Sequence, residues 1–232
     1  MAKFAKLPIS MTRKEILLGF GYAVIDLFFL PAILNAMNSQ LIHPLSGAWL
    51  NFLYFVLNFV FLFAIFSRFL KRSIVFCGKH LLDVCIAALA GFGGYWLCNV
   101  AFSFVILVLF PDYANPNDGS IADMASGNFM IMAVGAVLLV PMAEELIHRG
   151  LIFGTLARKN RFLGYAVSAV FFAAIHVIGY IGFCSNRDLL LALIQYLPAG
   201  IVLGWAYEKS GTIFTPIAIH MMVNAMGIYA MR

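Results

Sequence analysis

The residues of this chain best suited to chemistry are Glu144, Glu145, His148 and Arg149, within Pro141-Met-Ala-Glu-Glu-Leu-Ile-His-Arg-Gly150. Two sparser sets follow downstream, Phe172 with His176 and His220 with Asn224, each spaced i, i+4. On a helix Glu145 and Arg149 share a face and can form an ion pair, while Glu144 is rotated about 100° away and has His148 as its same-face neighbour. Low-dielectric surroundings disfavour an ionised carboxylate and so suit it to taking a proton from water. Glu144 is therefore the candidate base, with Glu145 and Arg149 as the supporting pair. A carboxylate that activates water, imidazoles that orient the reacting groups and an amide that stabilises an oxyanion together suit peptide-bond hydrolysis. A zinc-dependent version would take Glu144, His176 and His220 as ligands, with His148 as a further donor, although the His-Glu-x-x-His spacing is absent.

The elements that carry these residues are apolar. Residues 129–143 would span only about 22 Å at 1.5 Å per residue, short of the roughly 30 Å hydrocarbon core, so the helix is expected to continue to residue 157. The charges then sit at depth. Each uncompensated charge there costs roughly 2.5–3.5 kcal/mol, so such residues face a protein interior and usually have a function. Counted from one membrane face, Glu144 should lie at about 20 Å, His176 at about 21 Å, Asn224 at about 18 Å and His220 at about 12 Å.

With 63% hydrophobic and 11% charged residues and a mean hydropathy of +0.96, the chain reads as an all-α, polytopic membrane bundle. Its length accommodates about seven spans, at 16–37, 48–66, 81–111, 129–157, 162–183, 189–207 and from 212 onward. Residues 68–79 are expected to form a basic loop and 111–128 an acidic one. Lys3, Lys6, Arg13, Lys14, Arg68, Lys71, Arg72, Lys79, Arg158, Lys159, Arg161 and Lys209 fall on one side of this arrangement. That bias predicts a cytoplasmic N-terminus. The basic N-terminal residues precede a run long enough to span, which reads as a retained helix and not a cleaved leader. The formal charge of +5 follows from this topology, and no nucleic-acid partner is expected. One integral-membrane domain is expected overall, with residues 1–128 lacking motifs and 129–232 forming the catalytic core. Asp26 reads as a polar packing contact within the first span. Gly91-Phe-Gly-Gly94 and the Gly200, Gly204 pair read as close helix packing.

Glu144-Glu145-x-x-x-Arg149, Phe172-x-x-x-His176 and His220-x-x-x-Asn224, in that order on successive apolar segments, resemble the three motifs of the CPBP family. That family comprises type II CAAX prenyl endopeptidases and bacteriocin-processing or immunity proteins, also called Abi proteins. The resemblance covers roughly residues 129–229. It implies an intramembrane endopeptidase with Glu144 as base, His176 and His220 assisting and Asn224 stabilising the oxyanion. Family members are described both as metalloproteases and as metal-independent glutamate-type proteases; because Asn224 suits an oxyanion hole and few ligands converge, no cofactor is expected, with zinc as the alternative. The expected partners are a peptide or lipidated-peptide substrate and membrane lipid, and the expected location is the plasma membrane if the source is bacterial. His148 stands where the family motif commonly carries an aromatic or aliphatic residue. The alternatives are a non-catalytic bacteriocin self-immunity or scaffold protein and, more distantly, a proton-coupled transporter.

Overall fold

A computed structural model describes residues 7–231. The basic residues Lys3 and Lys6 lie outside the described residues. Among those described there is no β-sheet, and eleven α-helices form one bundle. In chain order these are α1 (Arg13–Phe28), α2 (Leu30–Ser39), α3 (Gly47–Ile65), α4 (Ser67–Lys79), α5 (Leu81–Leu109) and α6 (Pro116–Val134). They are followed by α7 (Val140–Glu145), α8 (Gly154–Leu156), α9 (Arg161–Ile175), α10 (Asn186–Ser210) and α11 (Phe214–Ala230).

By length and apolarity, α3, α5, Pro116–Leu156, α9 with its following turn, and α10 can each cross a membrane. The first expected span is instead a pair, α1 and α2, bent by 45° with Pro31 in the first turn of the second helix, and the last expected span, α11, is shorter than the other five. The protein is an integral, multi-pass membrane protein. Leu89, Leu97, Phe104 and Leu107 of α5 are exposed, as a lipid-facing helix requires.

The two expected loops are largely helical. Asn115 caps α6 by accepting hydrogen bonds from the amides of Asn117 (3.0 Å) and Asp118 (3.4 Å), and Pro116 at its first position has no amide to satisfy. The helix starts there and not at residue 129, with only a kink at Asn128 (φ −147°, ψ 49°) marking the expected boundary. The basic stretch 68–79 lies within α4. It buries Phe69, Leu70 and Ser73 and exposes Arg68, Lys71 and Arg72, so charges at helical spacing had the composition of a loop. Glu15 anchors this helix to α1, accepting the Phe69 amide at 2.7 Å and Arg72 at 3.3 Å while closing the capping box with Thr12.

The expected fifth span stops early. α9 ends at Ile175 with His176 as its C-cap, and the chain turns through a 3₁₀ segment, Ile178–Tyr180, and Gly182 at φ 86°. Apolarity up to residue 183 therefore did not mark helix, and Ile178, Ile181 and Phe183 stand exposed beyond its end. Polar contacts gather at both ends of the bundle. At one end Arg158 donates to the carbonyls of Leu7 and Ile9, Arg161 pairs with Glu208, and Thr212 reaches Ser73. At the other end Arg187 pairs with Asp112, and Asn115 donates to Gln195.

Small residues let α9 and α10 approach closely. A Cβ on Gly200 would stand 2.6 Å from Ala169 Cα and 2.8 Å from its Cβ. Gly91 likewise faces Ile219, whereas Gly93 and Gly94 meet nothing within 4 Å, so only one glycine of that cluster serves packing. Gly200→Ala is expected to destabilise the protein by about 1–3 kcal/mol, because backbone and not a flexible tip must yield. Thermal unfolding in detergent reads this as a lowered Tm.

Candidate active site

The helix carrying the two glutamates is locally widened on both sides of them. Gly135–Leu139 and Leu146–Phe153 are π-helical, with the Val140 amide donating to the Gly135 carbonyl and that of Gly154 to Arg149. Pro141 lacks an amide and would crowd the carbonyl four residues back in a regular helix, and the widened turn before it relieves that clash. Glu144 and Glu145 close the short α7 between the two π segments.

Glu145 is wholly buried, as are its partners. Its Oε1 accepts from Arg149 Nη1 at 3.0 Å and lies 2.9 Å from His220 Nδ1. The Arg149 guanidinium also donates to the carbonyls of Ala199 (3.4 Å) and Gly200 (3.3 Å) and lies 4.4 Å above the Phe172 ring. The expected ion pair thus exists, and it additionally orients an imidazole. With Nδ1 of His220 engaged by a carboxylate, its Nε2 turns toward Glu144, the arrangement by which a carboxylate orients an imidazole for acid–base chemistry.

Glu144 faces a cavity of about 1230 Å³ that His176, His220 and Asn224 also line. Glu144 Oε2 stands 4.0 Å from Nε2 of His176 and 4.0 Å from Nε2 of His220. Nδ1 of His176 is held by the Phe172 carbonyl at 2.8 Å, which fixes the ring and leaves Nε2 facing the carboxylate. Phe172 lies 4.6 Å from the His176 ring, the expected aromatic wall, and Tyr196 stacks on the other side at 4.3 Å. A 4.0 Å gap is too long for a direct hydrogen bond and suits one bridging water.

Two expectations need correction. Counting residues placed His220 well nearer one membrane face than Glu144, yet Nε2 of both histidines stands 4.0 Å from the same oxygen, because the π segments break the fixed rise per residue. His148 does not meet the Glu144 carboxylate; its Nδ1 lies 2.7 Å from the Glu144 backbone carbonyl. Asn224 lines the same cavity but donates Nδ2 to the Ala136 carbonyl at 2.8 Å, which leaves the second proton of its amide. Tyr196 and Ser168, whose hydroxyl donates to the His148 carbonyl at 2.9 Å, were missed, because neither stands in a recognisable spacing.

As a zinc site, Glu144, His176 and His220 fit poorly. Ligands of a tetrahedral zinc stand about 3.3 Å apart, given bonds of about 2.0–2.1 Å, and here the carboxylate oxygen is 4.0 Å from each nitrogen. Among the described residues no three His, Cys, Asp or Glu side chains are gathered as metal ligands.

Residues 126–226 match the family model described as type II CAAX prenyl endopeptidase Rce1-like. The UPF0177 protein YxdF of Lactococcus lactis subsp. lactis (strain IL1403) is 30% identical over 95 residues, covering 41% of this chain and 47% of that protein. The protein described as "Putative membrane peptidase YdiL" of Bacillus subtilis (strain 168) is 30% identical over 95 residues, covering 40% of this chain and 34% of that protein. The matches thus span less than half the length of either relative. No solved structure matches the chain significantly. The matched segment holds all seven named residues of the three motifs.

Proposed function

We propose that this protein, whose residues 126–226 are Rce1-like, is an intramembrane endopeptidase in which Glu144 activates water against a peptide bond. The observation that carries the reading is the placement of Glu144 Oε2 at 4.0 Å from Nε2 of both His176 and His220, on the wall of one large cavity. Water between these atoms gives a proton to Glu144, and its oxygen adds to the carbonyl carbon. His220, with its Nδ1 held by Glu145, stabilises the oxyanion together with the free amide proton of Asn224. His176 orients the water. Glu144 returns its proton to the leaving nitrogen as the C–N bond breaks.

The cavity exceeds the roughly 300–1,000 Å³ of small-molecule sites, which favours a membrane-associated peptide or peptide precursor as substrate. The basic end of the bundle, with α4 and residues 158–161, is assigned to the cytoplasm. The mechanism needs no metal. Peptide mass spectrometry on membranes carrying the wild-type protein or Glu144→Gln at equal abundance tests the reading: products confined to wild type support it and identify the substrate, prenylated or not. Identical peptide profiles sink it in favour of the non-catalytic immunity or scaffold role. Cleavage should also persist after treatment with a zinc chelator, and abolition that zinc reverses would return the site to metal chemistry.

A further inference from the structure

Two ionisable residues beside the site, Asp26 and His148, have no part in the reaction as derived. Both line a second cavity of about 100 Å³, whose wall also includes Tyr54, Asn58 and Glu144. Glu144 and Tyr54 line the large cavity as well, so they belong to the partition between the two.

The helices that carry no family motif build the far wall. Tyr22 of α1 donates its hydroxyl to Asn58 Oδ1 of α3 at 2.9 Å, which turns the Asn58 amide nitrogen toward the Tyr54 carbonyl at 3.3 Å. Asp26 of α1 lines the same cavity beside Tyr54 and Asn58. On the near wall His148 is 1% exposed, and its Nδ1 is engaged by the Glu144 backbone. Its Nε2, together with Asp26 Oδ1 and Glu144 Oε2, has no protein hydrogen-bond partner among the described residues. Buried polar atoms of native proteins are satisfied by protein or by ordered water, and a cavity of this size holds about three waters at roughly 30 Å³ each.

We propose that the small cavity is a water chamber, held by Asp26, Tyr54 and His148, that supplies Glu144 while a peptide fills the large cavity. Its supply role rests on the endopeptidase reading; its hydration does not. Each cleavage consumes one water: the oxygen bonds to the carbonyl carbon, one hydrogen reaches the leaving nitrogen through Glu144, and the other stays with the new acid. A peptide seated against Glu144 excludes bulk water from that side, so a second source bounded by the same carboxylate sustains turnover. Asp26 and His148 are positioning residues that act through the water.

Hydroxyl-radical footprinting in oxygen-18 water, on the full chain in lipid nanodiscs and in a Glu144→Gln background, reads hydration independently of cleavage. His148, which lines the small cavity and not the large one, is expected to take up the label, and to lose it about five-fold when Ala23→Leu fills the space. With the substrate in hand, Ala23→Leu and Asp26→Leu are expected to lower kcat about ten-fold at little-changed KM, and Asp26→Asn, which can still hold water, to recover most of it. An unlabelled His148 alongside intact Glu144-dependent cleavage overturns the chamber alone. Unchanged kcat in both filled variants overturns its supply role. Labelled His148 without Glu144-dependent cleavage anywhere overturns the supply role together with the endopeptidase reading.

Discussion

Glu144→Gln is expected to lower turnover by about 10²–10⁴-fold, the usual share of a general base, while changing stability by less than about 1 kcal/mol. The structural reason for the second half is that Glu144 Oε2 has no hydrogen-bond partner among the described residues and that Glu144 lines a cavity, so the isosteric amide breaks no hydrogen bond of that oxygen. Turnover assays and thermal unfolding on the same preparations check both halves. A Glu144→Gln protein that unfolds early would mean the carboxylate holds helices together, and its loss of activity would then say nothing about catalysis.

The neighbouring carboxylate should behave in the opposite way. Glu145 is fully buried and joins Arg149 on its own helix to His220 on α11. Replacing either member of a buried pair leaves the other charge uncompensated, at about 3–5 kcal/mol. Arg149→Leu and Glu145→Gln are therefore expected to lower the Tm strongly and to abolish cleavage as a consequence. Arg149→Lys should rescue little, because a point-like ammonium cannot meet the Glu145 carboxylate and the carbonyls of Ala199 and Gly200 at once while lying flat on Phe172. Unfolding midpoints in detergent discriminate: a Glu145→Gln protein as stable as wild type would contradict a structural role for this pair.

The difference between these two glutamates was half legible in the sequence. Spacing alone pairs Glu145 with Arg149 and sets Glu144 apart, because four residues return to one helix face. What spacing could not supply was His220 as the third member of the buried cluster, since that contact joins residues 75 apart in sequence. The same limit explains the misplaced depth of His220. A count at fixed rise assumes regular, parallel helices, and the π segments around α7 violate it. It also explains the loops at 68–79 and 111–128. Polar composition was read as irregular structure, whereas the Asn115 cap and the amphipathic face of α4 make both segments largely helical.

The sequence by itself determined the membrane class and the chemical inventory. Composition leaves no soluble alternative, and charged residues within apolar runs are too costly to be incidental. Only the tertiary structure decided which atoms meet: that both imidazoles present Nε2 to Glu144, that Asn224 donates a hydrogen bond to the Ala136 carbonyl, and that Asp26 shares a cavity with Glu144. The physical reason is that hydropathy is a property of each segment alone, whereas a site is fixed by the tilt, register and close approach of several segments, which small residues such as Gly200 permit and no single segment encodes.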